Sequence, residues 1–176
     1  RVIDTFRLQG GSGLEDQDIL DRGPLLVEGL KAVFAQHMPA DELNRILLRA
    51  NIPWQAVDLV RAYNGYARQL GLRYTLSRIQ EILLGKTELV SALWRFFEAK
   101  FNPDHTGNRA KAAHEASEAL LDGLRAVNDH DQDVTFRTLH NLIDSTLRTN
   151  FYRRDRVEHY LSFKIDCARV KQMPSP

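Results

Sequence analysis

Several groups of residues in this sequence have types and spacings that could support chemistry, and each has a plainer role to weigh against it. His114, Glu118 and Asp122 recur at four-residue steps and would share one helix face, the outline of an incomplete metal site. Three ligands on one face do not converge on a single ion without a second element. The preferred reading is a solvated polar stripe opposite Ala113, Ala116 and Leu120. None of the six histidines forms an HxxxH or HExxH pattern. Cys167 has Lys164, Arg169 and Lys171 nearby, which would favour a thiolate, yet no histidine stands beside it as a base, so it reads as an inert thiol. Ser91 and Ser117 fall within helical patterns and lack the strand-to-helix turn of a nucleophile elbow. The carboxylate pairs Asp16/Asp18 and Asp131/Asp133 suit loops and helix caps. The sequence therefore assigns no catalytic, cofactor-binding or metal-ligating residue.

Two further motifs touch on ligand binding. Gly11-x-Gly13 lacks the third glycine of a dinucleotide fingerprint, and Glu15, Asp16 and Asp18 would repel a pyrophosphate, so the segment reads as a linker. Arg148, Arg153, Arg154, Arg156 and Lys164 interleave with Phe151, Tyr152, Tyr160 and Phe163, a mixture that could bind nucleic acid. Phe151 and Tyr152 directly follow an apolar stripe, however, and arginines complement a helix C-terminus. Packing under a helix end is therefore preferred over a nucleic-acid tip.

The elements that must position these residues are mostly helical. At 176 residues the chain suits one domain with appendages. A net charge of +1 gives no global attraction to nucleic acid or anionic membrane. One cysteine excludes an internal disulfide and suits a reducing, cytoplasmic setting. No apolar run approaches the roughly 18–20 residues of a membrane span. The first residue is Arg1, so a piece of a longer polypeptide is expected.

Residues 1–9, RVIDTFRLQ, alternate as a short strand would, and GGSGLEDQD follows as an acidic loop. From Leu25 the period is helical: Leu26, Leu30, Val33 and Phe34 form one stripe. Pro39 with Asp41 and Glu42 suits a helix start. Asn51 is expected to cap the next helix, in which Trp54, Val57, Val60, Tyr63, Ala67 and Leu70 face inward and Gly71 terminates. Read as core, Trp54 should cost about 3–5 kcal/mol on truncation to alanine. Thr75 caps a helix ending at Gly85. Leu89, Leu93, Phe96 and Phe97 line the one after it. Helices over 109–128 and 132–150 form an antiparallel pair, the second lined by Phe136, Leu139, Ile143, Leu147 and Asn150. The expected fold is mainly α, with about seven helices in a bundle-like array and short β segments at both ends. The expected division is 1–24, strand and linker; 25–150, helical domain; 151–176, strand and linker. The terminal strands could pair with each other or with sequence outside the chain.

LLRANIPWQAVDLVRAYNGYARQLG at 47–71 and FFEAKFNP at 96–103 resemble the helical region of large-subunit bacterial NAD-dependent glutamate dehydrogenases. LRTNFY at 147–152, followed by YLSFKID and VKQMPSP, is similar to the junction before the catalytic domain of those enzymes. The chain departs from the family at Arg153, where a glutamine is common, and at PSP, where Pro-Arg-Pro is usual. The resemblance implies a scaffold region of an enzyme that oxidatively deaminates L-glutamate to 2-oxoglutarate and ammonia with NAD. It implies that residues 1–9 close an ACT-like regulatory module, and that the catalytic lysines, glycine-rich loop and dinucleotide fold lie beyond Pro176. The implied partners are other domains and subunits of a homo-oligomer. NAD would bind the parent enzyme and not these residues. The alternative from the residues themselves is a stand-alone helical module that binds protein or nucleic acid through 148–156.

Overall fold

Most helices in the computed structural model begin and end where local chemistry requires. It describes residues 16–153 and 160–171. The expected strand at 1–9 therefore lies outside the described residues, as do Arg154 and Arg156. The helices are α1 Asp16–Asp21, α2 Gly23–Phe34, α3 Arg45–Arg49, α4 Trp54–Gln69, α5 Leu76–Gly85, α6 Thr87–Phe101, α7 Arg109–Arg125 and α8 His130–Ser145. A 3-10 turn, Glu42–Asn44, leads into α3, and a second, Cys167–Arg169, follows the strands.

Side chains cap the N-termini of the first 3-10 turn, α5, α7 and α8, satisfying backbone N–H groups the helix leaves unpaired, whereas α2, α3, α4 and α6 start without one. Asp41 accepts from the Leu43 N–H at 3.0 Å, and Thr75 from the Arg78 N–H at 3.2 Å. Asn108 accepts from Lys111 at 3.0 Å. The cap of α8 is Asp129, which accepts from Gln132 at 3.1 Å, and not Asp131 or Asp133, which lie in its first turn. Asn51 does not cap α4. It sits at φ 51°, and the Ile52 N–H returns to the Leu47 carbonyl at 3.2 Å, so Asn51 ends α3 in the left-handed conformation. Gly71 (φ 101°) and Gln36 (φ 60°) close α4 and α2 in the same way.

The core runs from α3 through α4 to α5, α6 and α8. Val57, Val60, Tyr63 and Ala67 are buried on α4; Ile79, Ile82 and Leu83 on α5; Leu93, Phe96 and Phe97 on α6. Phe136, Leu139, Leu142 and Ile143 line α8. The α7 helix packs chiefly on α6, not only on α8 as an antiparallel pair would suggest. Gly123 permits that approach, since a Cβ there would lie 3.1 Å from Leu89 Cδ2.

Four sequence expectations change. A helix, α1, begins at Asp16 inside the expected acidic loop; an acidic run suits a helix start better than a coil. The last helix ends at Ser145, not 150. The chain then passes straight into β1, Thr146–Thr149, because two of its four residues are β-branched threonines. Leu147 is consequently 52% exposed instead of inward-facing. Strand β1 pairs antiparallel with β2, Phe163–Ile165, so both described strands lie at one end. Finally, Leu30 and Phe34 point outward, while the face α2 buries is that of Gly29 and Ala32.

Trp54 is half-buried and stacks on His37 with ring centroids 6.4 Å apart. Only part of its surface leaves water, so Trp54→Ala is expected to cost about 1–2 kcal/mol, below the figure for a core tryptophan. Urea unfolding checks this; a loss of 3 kcal/mol or more would restore the core assignment.

Candidate functional site at the helix–hairpin seam

Chemistry-bearing side chains of α6, α7 and α8 gather where the bundle meets the hairpin. Phe96, Lys100, Arg109, Ala113, His114, Ser117 and Asp144 line a groove of about 520 Å³. Lys100 reaches from α6 to the end of α8, where its Nζ donates to the Ile143 carbonyl at 2.9 Å and to the Asp144 carbonyl. These acceptors are the last carbonyls of a helix C-terminus, of which Ile143 also accepts from the Thr146 N–H, and a cation there opposes the helix dipole. Burial brings the Lys100 ammonium down to about 8, Asp144 opposing the fall and Arg169 adding to it. Lys100 therefore carries its charge at neutral pH, and its donors are committed to holding α8. That leaves it no role as a free amine nucleophile.

Asp144 faces Lys100 at 3.9 Å and accepts from Arg169 at 2.6 Å. Arg169 lies in the second 3-10 turn, so this contact fastens the chain after β2 to α8. Asn141 adds to it: its amide donates to the Arg169 carbonyl at 3.0 Å and its oxygen accepts from the Lys171 N–H at 3.0 Å. Asp166 N–H donates to the Ser145 carbonyl at 2.8 Å.

Ser117 and His140 deserve a chemical test, because Ser117 Oγ lies 2.7 Å from His140 Nε2 and Asp144 follows His140 by one turn. The constellation does not meet the demands of a hydrolytic triad. Asp144 is bound to Arg169 and Lys100, Ser117 sits mid-helix, and the neighbouring α7 N–H groups are committed to the helix ladder and cannot serve as oxyanion donors. His140 is instead a packed ring, stacked on Phe96 at 5.1 Å. Burial holds it below the ordinary imidazole range; Lys171, Lys100 and Arg137 act the same way and Asp144 opposes. Because its folded pKa is depressed, the unfolded chain binds the proton first as pH falls. Stability is expected to drop below about pH 6.5. Urea unfolding at pH 7 and 5.5 should show a smaller difference in His140→Asn than in the parent sequence. An equal difference in both would remove His140 as the cause.

Aromatic and hydroxyl contacts complete the seam. Thr146 Oγ1 donates to the Leu142 carbonyl at 2.8 Å. A hydroxyl has one proton, so the Tyr63 OH, 2.9 Å away, donates to Thr146. The Tyr63 ring meets Phe163 of β2 at 4.6 Å, and burial raises its phenol above the usual range. Phe97 meets Phe151 at 5.1 Å, and Trp94 meets Phe151 at 5.6 Å. The expected packing of Phe151 and Tyr152 is thus present, although beneath the hairpin and not beneath a helix end. Asn150 closes the hairpin neck: its side chain accepts from the Ser162 N–H at 2.9 Å and donates to the Tyr160 carbonyl at 3.0 Å. At the far end of α8, Arg78 of α5 donates to Asp131 and Asp129, each at 3.1 Å.

The candidates raised by the sequence fall apart spatially. His114, Glu118 and Asp122 are exposed along α7. Among the described residues no three His, Cys, Asp or Glu side chains gather as a metal site would require. Cys167 is exposed, and Ser91 donates to the Ala50 carbonyl at 2.7 Å. Of the basic burst, Arg148 lies exposed on β1. Lys100 and Tyr63, which carry the seam, were not singled out for it by the sequence. An inward Tyr63 and a basic residue in the last turn of α6 were the available signals.

Residues 38–103 match the family model for "Glutamate dehydrogenase, helical motif 3", and residues 119–176 match that for "Bacterial NAD-glutamate dehydrogenase, catalytic domain". The second match begins inside α7. The chain is 31% identical to the NAD-specific glutamate dehydrogenase of Halomonas elongata and 30% to that of Pseudomonas aeruginosa, each over 99% of this chain. The enzyme of Mycobacterium tuberculosis is 30% identical over 85% of this chain. The chain spans 11% of the length of the first two and 10% of the third. The Lys100, Tyr63 and Phe97 contacts therefore join one matched segment to the other, in the order in which the two occur along the sequence. This chain belongs to the bacterial NAD-specific glutamate dehydrogenase family.

Proposed function

We propose that the chain is the non-catalytic junction that fastens the helical region of an NAD-dependent glutamate dehydrogenase to its catalytic domain. In this reading the parent polypeptide oxidatively deaminates L-glutamate to 2-oxoglutarate and ammonia. NAD is held by parts outside residues 1–176, and the enzyme works in the cytoplasm as a homo-oligomer. Residues 1–24 lead in from a regulatory module, 25–150 form the helical domain, and 151–176 lead on toward the reacting centre. Residues 119–176 supply that domain's anchorage instead of its chemistry. The observation that carries the reading is the seam itself: the side chains that bridge the two matched segments are committed to helix ends, hairpin and ring contacts, with none left poised as nucleophile or base.

The test uses the full-length polypeptide. It should form NADH in a glutamate-dependent reaction, and Lys100→Met should lower kcat by loosening α8. Absence of glutamate-dependent NADH formation would sink the activity. Unchanged kcat in a folded Lys100→Met enzyme would sink the coupling role.

A further inference from the structure

The first two helices present an apolar stripe that the described residues leave exposed. Leu20, Val27, Leu30 and Phe34 are 71%, 50%, 40% and 76% exposed, and they are four of the seven large exposed hydrophobics among the described residues. Within α2, Val27, Leu30 and Phe34 follow one another at three and four residues, which is the spacing of a two-helix seam, and Leu20 of α1 precedes them. Beside the stripe runs an apolar groove of about 260 Å³ between α2 and α3, with Leu47 and Met38 among its lining residues. Gly29 keeps α2 close to α3 there, since a Cβ would meet Leu47 Cδ1 at 2.6 Å. Exposed apolar area on this scale beside a groove marks an interaction surface.

The spacing asks for a helix, and the size of the face says how that helix must arrive. A stable association of separate chains buries about 800 Å² and roughly 20–30 residues on each partner, against four exposed large apolar residues here. A tethered helix needs far less, because covalent linkage holds it at roughly millimolar effective concentration. In the relatives from Halomonas and Pseudomonas this chain is 11% of the polypeptide, so most of the linked sequence lies outside it. We propose that the α1–α2 face docks an amphipathic helix from another part of the same polypeptide, outside residues 1–176. The helix sets its apolar stripe along Val27, Leu30 and Phe34. The inference rests on the family assignment and not on the proposed catalysis.

The test replaces Phe34 by photoreactive p-benzoyl-phenylalanine in the full-length polypeptide, with Leu30 replaced likewise in a second preparation. On irradiation, an intrachain crosslink is expected, migrating as a single chain on a denaturing gel and mapped by mass spectrometry to a helical segment outside residues 1–176. Crosslinks joining two copies would overturn the proposal in favour of a dimer face. A crosslink to residues 1–15, or none from either position in a folded protein, would overturn it as well. Glutamate-dependent NADH formation is measured separately, so failure of docking leaves the dehydrogenase reading untouched.

Discussion

Phe97→Ala should lower the unfolding free energy by about 3–5 kcal/mol, the cost of truncating a fully buried aromatic. Phe97 is 0% exposed and lies at the centre of a ring cluster. Its neighbours are Trp94 at 6.0 Å, Phe101 at 4.9 Å, Phe151 at 5.1 Å, Tyr152 at 6.2 Å and Tyr63 at 6.4 Å. Those partners come from α4, α6 and the segment after β1, so no single neighbour can move into the space without dragging an element with it. The cavity term therefore adds to the lost transfer energy. Urea unfolding at unchanged m-value measures the loss. A cost under 1.5 kcal/mol would mean that the hairpin residues collapse onto α6 and that the seam is softer than its packing implies.

Tyr63 separates the polar part of the seam from the apolar part. Tyr63→Phe keeps the ring against Phe163 and Phe97 but removes the donor to Thr146, whose hydroxyl still donates to Leu142. Loss of one buried neutral hydrogen bond should cost about 1 kcal/mol. Tyr63→Ala also empties the ring's volume, at 2% exposure, and should cost about 3–5 kcal/mol. Amide exchange in β1 should rise in both variants, and much more in the second. If both cost the same, the hydroxyl and not the ring holds the hairpin to α4.

Much of the helical frame was legible. The 3.6-residue stripes at Val57 to Ala67 and at Leu89 to Phe97 face the core, and Thr75 and Gly71 cap and terminate as their types suggest. Gln36 and Asn51 were missed as helix terminators because a left-handed turn is announced by glycine, not by glutamine, and asparagine serves equally as an N-cap. The 146–149 segment was read as helix because Leu147 and Asn150 continue the stripe. The register of β1 on β2 depends on residues 163–165, more than a dozen positions away, which no local period reveals. The outward turn of Leu30 and Phe34 has a similar cause. Periodicity marks an apolar face without saying whether its partner lies in the same segment. The seam was least legible, since Lys100 acts on carbonyls of another helix and its role has no sequence signature.

One consequence of the fold concerns motion. Ser145 ends α8 and Thr146 begins β1 with no residue between them, while Asp166 N–H is tied back to the Ser145 carbonyl. Loops are where a chain absorbs displacement, and here there is none to give slack. A shift or twist of α8 along its axis is thus passed directly to the start of the strand pair, where the irregular register between Thr146 and Arg148 is the first place that can take it up. In a long polypeptide, that single peptide link makes α8 a push-rod.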